Sequence, residues 1–516
     1  MTFYNFVNIM TCRHMAFCSK INKTYVSNKM KGWFRVASER RKILLVSSEA
    51  APYAKSGGLG DVVGSLPKAL QEADVDVRVV LPKYATIKEE HLQDVEYLGS
   101  FSINLAWRTQ EAKILRKNTG AFPVYFIEND FYFGREGLYG YGDDNERFAF
   151  FCKAVLHMLS MLDFYPDIIH CNDWQTGPIC MLLKESYSKM IFYSKIKTLY
   201  TIHNLQYQGV FGKETMDLLG VPNWCFDNGN VEFYGNVSYM KMGLMYADHI
   251  STVSNTYAEE IQTPQYGYGM DGVLRSRHEH LSGIINGIDY VANDPATDKR
   301  LVVNFDRNSI DKKKENKREL QQYLGLEQRD VPMIGMITRL ADQKGLDILT
   351  QVFDEMMRED IQFVLLGTGE NRYEYIFKSM AQRYPGKMSA NILFDDILAQ
   401  RIYASSDLFM MPSFFEPCGL GQMFSLRYGT VPIVRKTGGL ADTISHYDEQ
   451  SKQGNGFVFE SYDGNGLLWA FREALRVYHK DPEEWANVVR NAMDCNYSWA
   501  SSAGKYIALY DQLMKG

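Results

Sequence analysis

Long apolar runs are missing from this 516-residue chain, and no uninterrupted apolar stretch approaches the roughly 18 residues that would cross a bilayer. The first 41 residues also lack the roughly 7–15-residue apolar core of a secretory signal, which argues against export. Cysteine is sparse: there are eight, and none stand as C-x-x-C. Neither a zinc site nor a disulfide framework is indicated, and a reducing cytosol is the expected setting. An excess of one charge is absent too. The 56 lysines and arginines against 62 aspartates and glutamates leave −6, which gives no global reason to bind nucleic acid or an anionic membrane.

What is present is an ordinary globular composition, 46% apolar and 23% charged, over a length that calls for at least two domains. The small net charge averages two unlike parts. Residues 1–41 carry eight bases and one acid, or +7, and the remainder is −13. Such a leader partly matches an organelle transit peptide but is richer in Asn, Lys and aromatics than in Arg and Ser. The sequence therefore predicts a dispensable extension, with Met30 as a start of the working protein and the cytoplasm as its location. A plastid is the alternative if the leader is a transit peptide.

From Lys42 onward, short β-branched runs alternate with helical patterns, as in parallel sheets built from βαβ units. Strands are predicted at Lys42–Ser47, Asp76–Leu81, Val124–Glu128, Asp167–Cys171, Thr198–Ile202 and His249–Val253. After a charge-dense stretch from Asp289 to Arg318 the pattern restarts, with strands at Met333–Thr338, Gln362–Leu366, Asn391–Phe394, Leu408–Met411 and Pro432–Val434. Two successive doubly wound units meeting near Ile288 are the simplest account. Ligands of such sheets bind beyond the carboxyl ends of strands, so informative residues should follow strands.

The first such segment is Lys55-Ser56-Gly57-Gly58-Leu59-Gly60-Asp61. It fits neither the dinucleotide-binding G-x-G-x-x-G nor the Walker pattern. Its glycines permit close approach of backbone to a ligand, and Lys55 beside a helix N-terminus offers positive potential to a phosphate. With the S-x-E-x-x-P run before it, this segment resembles the signature of bacterial glycogen synthases and plant starch synthases. Six further motifs in order carry the resemblance to the C-terminus: His170-Cys171-Asn172-Asp173-Trp174, Thr201-Ile202-His203-Asn204, Ile285-Asn286-Gly287-Ile288-Asp289, Thr338-Arg339-Leu340 with Gln343-Lys344-Gly345, Glu416-Pro417-Cys418-Gly419-Leu420, and Lys436-Thr437-Gly438-Gly439-Leu440.

The resemblance implies two Rossmann-like domains facing across a cleft, the GT-B arrangement. Residues 42–288 would form the acceptor side, 289–495 the nucleotide-sugar side, and 496–516 a helix returning to the first domain. It implies transfer of glucose from ADP-glucose to the non-reducing 4-hydroxyl of an α-1,4-glucan, with retention, release of ADP, and neither cofactor nor metal. Glu416, His203, Asp173 and Lys55 are the catalytic candidates. Lys55, Gly57, Gly58, Asp61, Asn286, Arg339, Lys344, Gly367, Phe394, Cys418, Gly419, Leu420 and Gly421 are the donor-binding candidates, and Tyr139 is expected to stack on sugar.

Physical chemistry supports parts of that set. Arg339 and Lys344 flank a strand-to-helix loop, and two cations there would stabilise a departing diphosphate. Glu416 follows a strand and could stabilise oxocarbenium-like charge. The acid common eight positions further on in related transferases is replaced by Phe424, as is typical of the synthases. Two positions depart from the family: Phe394 stands where a Tyr commonly meets adenine, and Gly421 where a Thr is frequent. The echo of Lys55–Asp61 in Lys436–Asp442 reads as shared turn chemistry opening a helix. Another nucleotide-sugar transferase, a phosphorylase, or a non-catalytic glucan-binding protein remain alternatives, and the oligomeric state is open.

Overall fold

Lys42–Val46, the sequence KILLV, forms the central strand of a nine-stranded sheet in the computed structural model, which describes residues 40–515. The basic leader lies outside the described residues apart from Arg40 and Arg41. Val46 and its three apolar predecessors are fully buried, as suits a strand covered by helices on both faces. On one side it pairs with Asp76–Pro82 and then Pro123–Glu128, and on the other with Ile168–Asn172, Lys197–Ile202, His249–Thr252 and Leu281–Gly283, all parallel. A long antiparallel hairpin, Glu96–Leu105 and Arg108–Asn118, extends the sheet beyond Pro123–Glu128.

The second sheet has six parallel strands in the order Met388–Asn391, Gln362–Leu366, Met333–Ile337, Leu408–Met411, Val431–Arg435, Phe457–Phe459. The third strand of this half in chain order, Met388–Asn391, begins three residues earlier than the apolar run Asn391–Phe394 suggests. Leu393 and Phe394 instead follow the strand and are exposed, Phe394 to 82%.

Helices cover both sheets. Gly58–Glu72 opens within the Gly-rich segment and buries Leu59, Val62, Val63, Leu66 and Leu70, the 3.6-residue stripe of a core-facing helix. The C-terminal helix Trp499–Lys515 packs against it. Tyr506, Leu509, Tyr510 and Leu513 of that helix are buried in the same core as the first sheet. The Tyr510 hydroxyl meets His170 Nδ1 at 2.9 Å, tying the end of the chain to the strand Ile168–Asn172.

This topology fixes where ligands go. In the first sheet the strand order reverses between Lys42–Val46 and Ile168–Asn172; in the second it reverses between Met333–Ile337 and Leu408–Met411. At such switch points the loops leaving adjacent strands diverge and open a crevice. Among the described residues no helix is long and apolar enough to cross a membrane.

Candidate active site

Loops beyond the strand ends of both sheets, those at the two switch points included, line one cavity of about 800 Å3. From the first sheet come Glu49, Ser56 to Leu59, Tyr139, Asp173, His203 and Asn286; from the second come Arg339, Lys344, Ser413, Glu416 and the run Pro417 to Gly421.

On the second-sheet side, Lys344 Nζ lies 2.6 Å from Glu416 Oε2, and Ser413 Oγ donates to the same oxygen at 3.0 Å. Glu416 is 6% exposed. Two loops are zipped together to make this pair. Phe414 N–H donates to the Gln343 carbonyl at 2.8 Å, and Gln343 Nε2 donates to the Phe415 carbonyl at 3.2 Å. Gly345 adopts φ +68°, and a Cβ there would stand 2.0 Å from the Pro412 carbonyl oxygen. Only glycine lets the Lys344 turn approach so closely. Arg339 is exposed beside them and takes part in no ion pair among the described residues.

The other face of Glu416 is fixed by Gly438 and Gly439. A Cβ on Gly438 would meet the Glu416 carbonyl oxygen at 2.0 Å, and one on Gly439 the Cys418 carbonyl oxygen at 2.0 Å. Gly439 N–H donates to the Glu416 carbonyl at 3.0 Å. The Lys436–Asp442 echo therefore does open a helix, Gly438–Thr443, and it braces the catalytic-candidate loop from behind. Lys436 itself pairs with Glu460 outside the cavity. Asp442 accepts from the backbone N–H groups of Asn255 and Thr256, while Glu260 accepts from Thr437 Oγ1 and Gly438 N–H. The short helices Asn255–Glu260 and Gly438–Thr443 thus cap each other and join the two sheets' loops.

On the first-sheet side, Asp173 follows the strand Ile168–Asn172 with φ +55° and ψ 179°, a conformation costly for any residue but glycine. His203 N–H donates to Asp173 Oδ1 at 2.7 Å and holds it there. Removal from water pushes the Asp173 carboxyl up to about 7, against that hydrogen bond. The same desolvation pushes His203 down to about 3, so its imidazole is neutral at working pH. Two carbonyl-type oxygens on the cavity lining, Asn286 Oδ1 and Gln175 Oε1, are buried with no protein partner. They are acceptors waiting for hydroxyl donors, as a sugar would present. Cys418 is buried, and its thiol is pushed up to about 12.

Glu49 has the most contacts of any acid in the site, and sequence reading gave it no role. It accepts from Ser56 N–H (2.6 Å), Ser56 Oγ (2.7 Å) and Gly57 N–H (3.2 Å), and the Tyr139 hydroxyl lies 2.8 Å away. The Gly-rich loop is thereby tethered to a buried carboxylate. Tyr139 packs its ring on Phe148 and Trp174, leaving only part of it to the cavity. A signal was present in an acid three residues past the central strand.

Four candidates lie off the cavity lining. Lys55 is paired with Asp61 at 2.7 Å, both partly exposed. Gly367, at φ +156°, faces its Cβ position onto the Thr338 carbonyl oxygen 1.8 Å away, so it serves the passage of one loop past another. Phe394 stands in solvent. Gly57 and Gly58 do line the cavity, and a Cβ on either would meet nothing within 4 Å, which leaves open room at that wall. Among the described residues no group of three His, Cys, Asp or Glu side chains could hold a metal ion.

Comparison with known proteins agrees with this architecture. Residues 42–276 match the starch synthase catalytic domain and residues 318–492 the glycosyl transferases group 1. The chain is 52% identical over 488 residues to a glycogen synthase of Desulforudis audaxviator, covering 92% of this chain and 97% of that protein. It is 49% identical to one of Clostridioides difficile, covering 91% and 99%. The catalytic domain of starch synthase IV from Arabidopsis thaliana, bound to ADP and acarbose, superposes with TM-score 0.85 at 34% identity, covering 92% of this chain and all of that one. Sucrose-phosphate synthase of Thermosynechococcus elongatus shares the fold, with TM-score 0.58 at 18% identity. Two Rossmann-like units of the GT-B type, with a cavity between their switch points and these relatives across nine-tenths of its length, place the chain in the glycogen synthase and starch synthase family of glycosyltransferases.

Proposed function

We propose that the protein transfers glucose from ADP-glucose to the non-reducing 4-hydroxyl of an α-1,4-glucan, with retention and release of ADP, in the cytoplasm. The observation that carries this reading is the Lys344–Glu416 pair, set with Arg339 across one cavity from Asp173, His203 and Asn286. ADP in the Arabidopsis relative supports the nucleotide, and the names of the bacterial relatives support the acceptor.

In this reading residues 289–495 hold the donor, residues 42–288 the acceptor, and the C-terminal helix braces the latter. The bond from C1 to the β-phosphate oxygen breaks, the C1–O4 bond forms, and the acceptor proton leaves with ADP. Arg339 and Lys344 stabilise the charge that grows on the diphosphate. Once Lys344 turns to phosphate, the Glu416 carboxylate is available to the electron-poor sugar. Asn286 and Gln175 accept from hydroxyls. Lys55 reaches the donor by exchanging Asp61 for phosphate as the walls close and exclude water.

The test is glucan growth by the full chain supplied in parallel with ADP-glucose, UDP-glucose or glucose 1-phosphate on a glycogen primer. Growth from ADP-glucose, lowered about 100-fold or more by Glu416→Gln, is expected. Growth from glucose 1-phosphate alone overturns the reading, as does glycogen binding without ADP release.

A further inference from the structure

We infer that Asn172 is a positioning residue: it fixes His203 as the Nε2–H tautomer, so that Nδ1 accepts a hydrogen bond from a hydroxyl of the transferred sugar. This rests on the function proposed above.

Asn172 ends the strand Ile168–Asn172 and is 1% exposed. Its Nδ2 donates to the Val46 carbonyl at 3.1 Å and to the His170 carbonyl at 3.3 Å. Both carbonyls belong to strands of the first sheet, so the amide has one orientation. Rotating it by half a turn would set its oxygen against two carbonyl oxygens. Oδ1 is therefore the atom that meets His203 Nε2, 2.9 Å away. An amide oxygen only accepts, so Nε2 carries the proton. The His203 backbone N–H is held separately by Asp173 Oδ1, which fixes the residue at both ends.

A neutral imidazole protonated at Nε2 has its lone pair on Nδ1. His203 lines the cavity, and Nδ1 has no partner among the described residues. His170 is a useful contrast. Its Nδ1 meets Tyr510 and its Nε2 meets Thr201, so both nitrogens are spent inside the core. The arrangement at His203 can accept from a sugar hydroxyl and cannot donate to a sugar oxygen. It therefore selects a donor sugar carrying a hydroxyl at that point and rejects one in which fluorine or hydrogen replaces it.

The first test reads the tautomer directly in the full chain labelled with 15N-histidine, the His203 signals being those lost in His203→Phe. Nε2 protonated and Nδ1 bare across neutral pH is expected; a proton on Nδ1 overturns the inference, whatever any variant does. The second uses a panel of monodeoxy and monofluoro ADP-glucose donors. In the wild type, one hydroxyl deletion is expected to cost about tenfold in kcat/KM. Asn172→Leu is expected to lower kcat about 10- to 100-fold with ADP affinity unchanged, and to abolish the further cost of that same deletion. Additive penalties, or equal losses for every donor, make Asn172 merely structural and overturn the inference. If no nucleotide sugar turns over, the proposed function fails, and the tautomer measurement still decides the role of Asn172.

Discussion

Replacing Gly345 by alanine tests whether the close approach of two loops creates the Lys344–Glu416 pair. Gly345 is left-handed at φ +68°, where alanine costs about 1–2 kcal/mol. The new Cβ would start 2.0 Å from the Pro412 carbonyl oxygen and 2.7 Å from its carbon, backbone atoms that cannot rotate away. Reaching the 3.0 Å that real Cβ contacts keep requires an opening of about 1 Å. Forced repacking of this kind costs about 1–3 kcal/mol more, for a total of about 2–5 kcal/mol. Glu416 lies four residues after Pro412, and Lys344 immediately precedes Gly345, so the displacement falls between the two reacting-site charges. A misplacement of about 1 Å costs on the order of 100-fold in rate. The assay is ADP release at saturating glycogen, with urea unfolding on the same preparation. Wild-type kcat/KM together with an unfolding free energy within about 0.5 kcal/mol of the wild type would refute the reasoning.

The Gly-rich loop predicts the opposite separation. At Gly57 and Gly58 an added Cβ meets nothing within 4 Å and neither residue has positive φ, so Gly57→Ala and Gly58→Ala should leave stability within about 0.5 kcal/mol. Both should raise KM for ADP-glucose because the methyl enters the cavity; unchanged KM would remove this wall from the donor site. Stability should also depend on pH in a set direction. His170 and His203 are pushed down to about 3 and His249 to about 4 by burial, so between pH about 4 and 6.5 the unfolded chain binds more protons at these sites. Asp173, raised to about 7, opposes them by holding a proton in the native state. Three sites against one make the urea midpoint fall as pH drops from 6.5 to 4, and Asp173→Asn should steepen the fall. A flat profile, or a shallower one in that variant, contradicts the assignment.

The parallel strands were legible because they are buried on both faces and read as continuous apolar runs; Gln362–Leu366 and Leu408–Met411 match residue for residue. The hairpin Glu96–Leu105 and Arg108–Asn118 was not, because many of its positions face water and its turn carries no glycine or asparagine. Ala106 takes the positive φ instead. At Ile392-Leu393-Phe394, apolar character suggested a strand where the chain has already left the sheet. The site divides along the same line. Residues on the loops that leave strands, such as Asp173, His203, Arg339 and Glu416, stand out in sequence because strand ends locate them. Glu49, Asn172 and Ser413 matter through partners that only folding supplies: Glu49 meets Tyr139 across 90 positions and Asn172 meets His203 across 31. The Gly367 position carries a two-sided signal for a related reason. A glycine beside a strand end signals close approach, and sequence does not say whether a ligand or the protein's own Thr338 makes it.

The charge pattern now has a local meaning. Beyond its leader the chain carries −13, so a doubly charged diphosphate meets an unfavourable overall field. The cations that would counter it are not idle: Lys344 is neutralised by Glu416 and Lys55 by Asp61, leaving Arg339 unpaired among the described residues. Pairing with Glu416 avoids leaving a desolvated ammonium unmatched on the cavity wall. In the proposed reaction pairing also makes donor binding an exchange, in which phosphate replaces a carboxylate at each lysine. The two exchanges differ. Asp61 and Lys55 are partly exposed, so breaking their contact is cheap in water, whereas Glu416 is 6% exposed and its carboxylate, once released, requires a new partner. The electron-poor glucosyl centre is that partner in the proposed reaction. In that reaction the pair Lys344–Glu416 would link diphosphate binding on one side to stabilisation of the sugar on the other, and a substrate lacking either part would leave one buried charge unmatched.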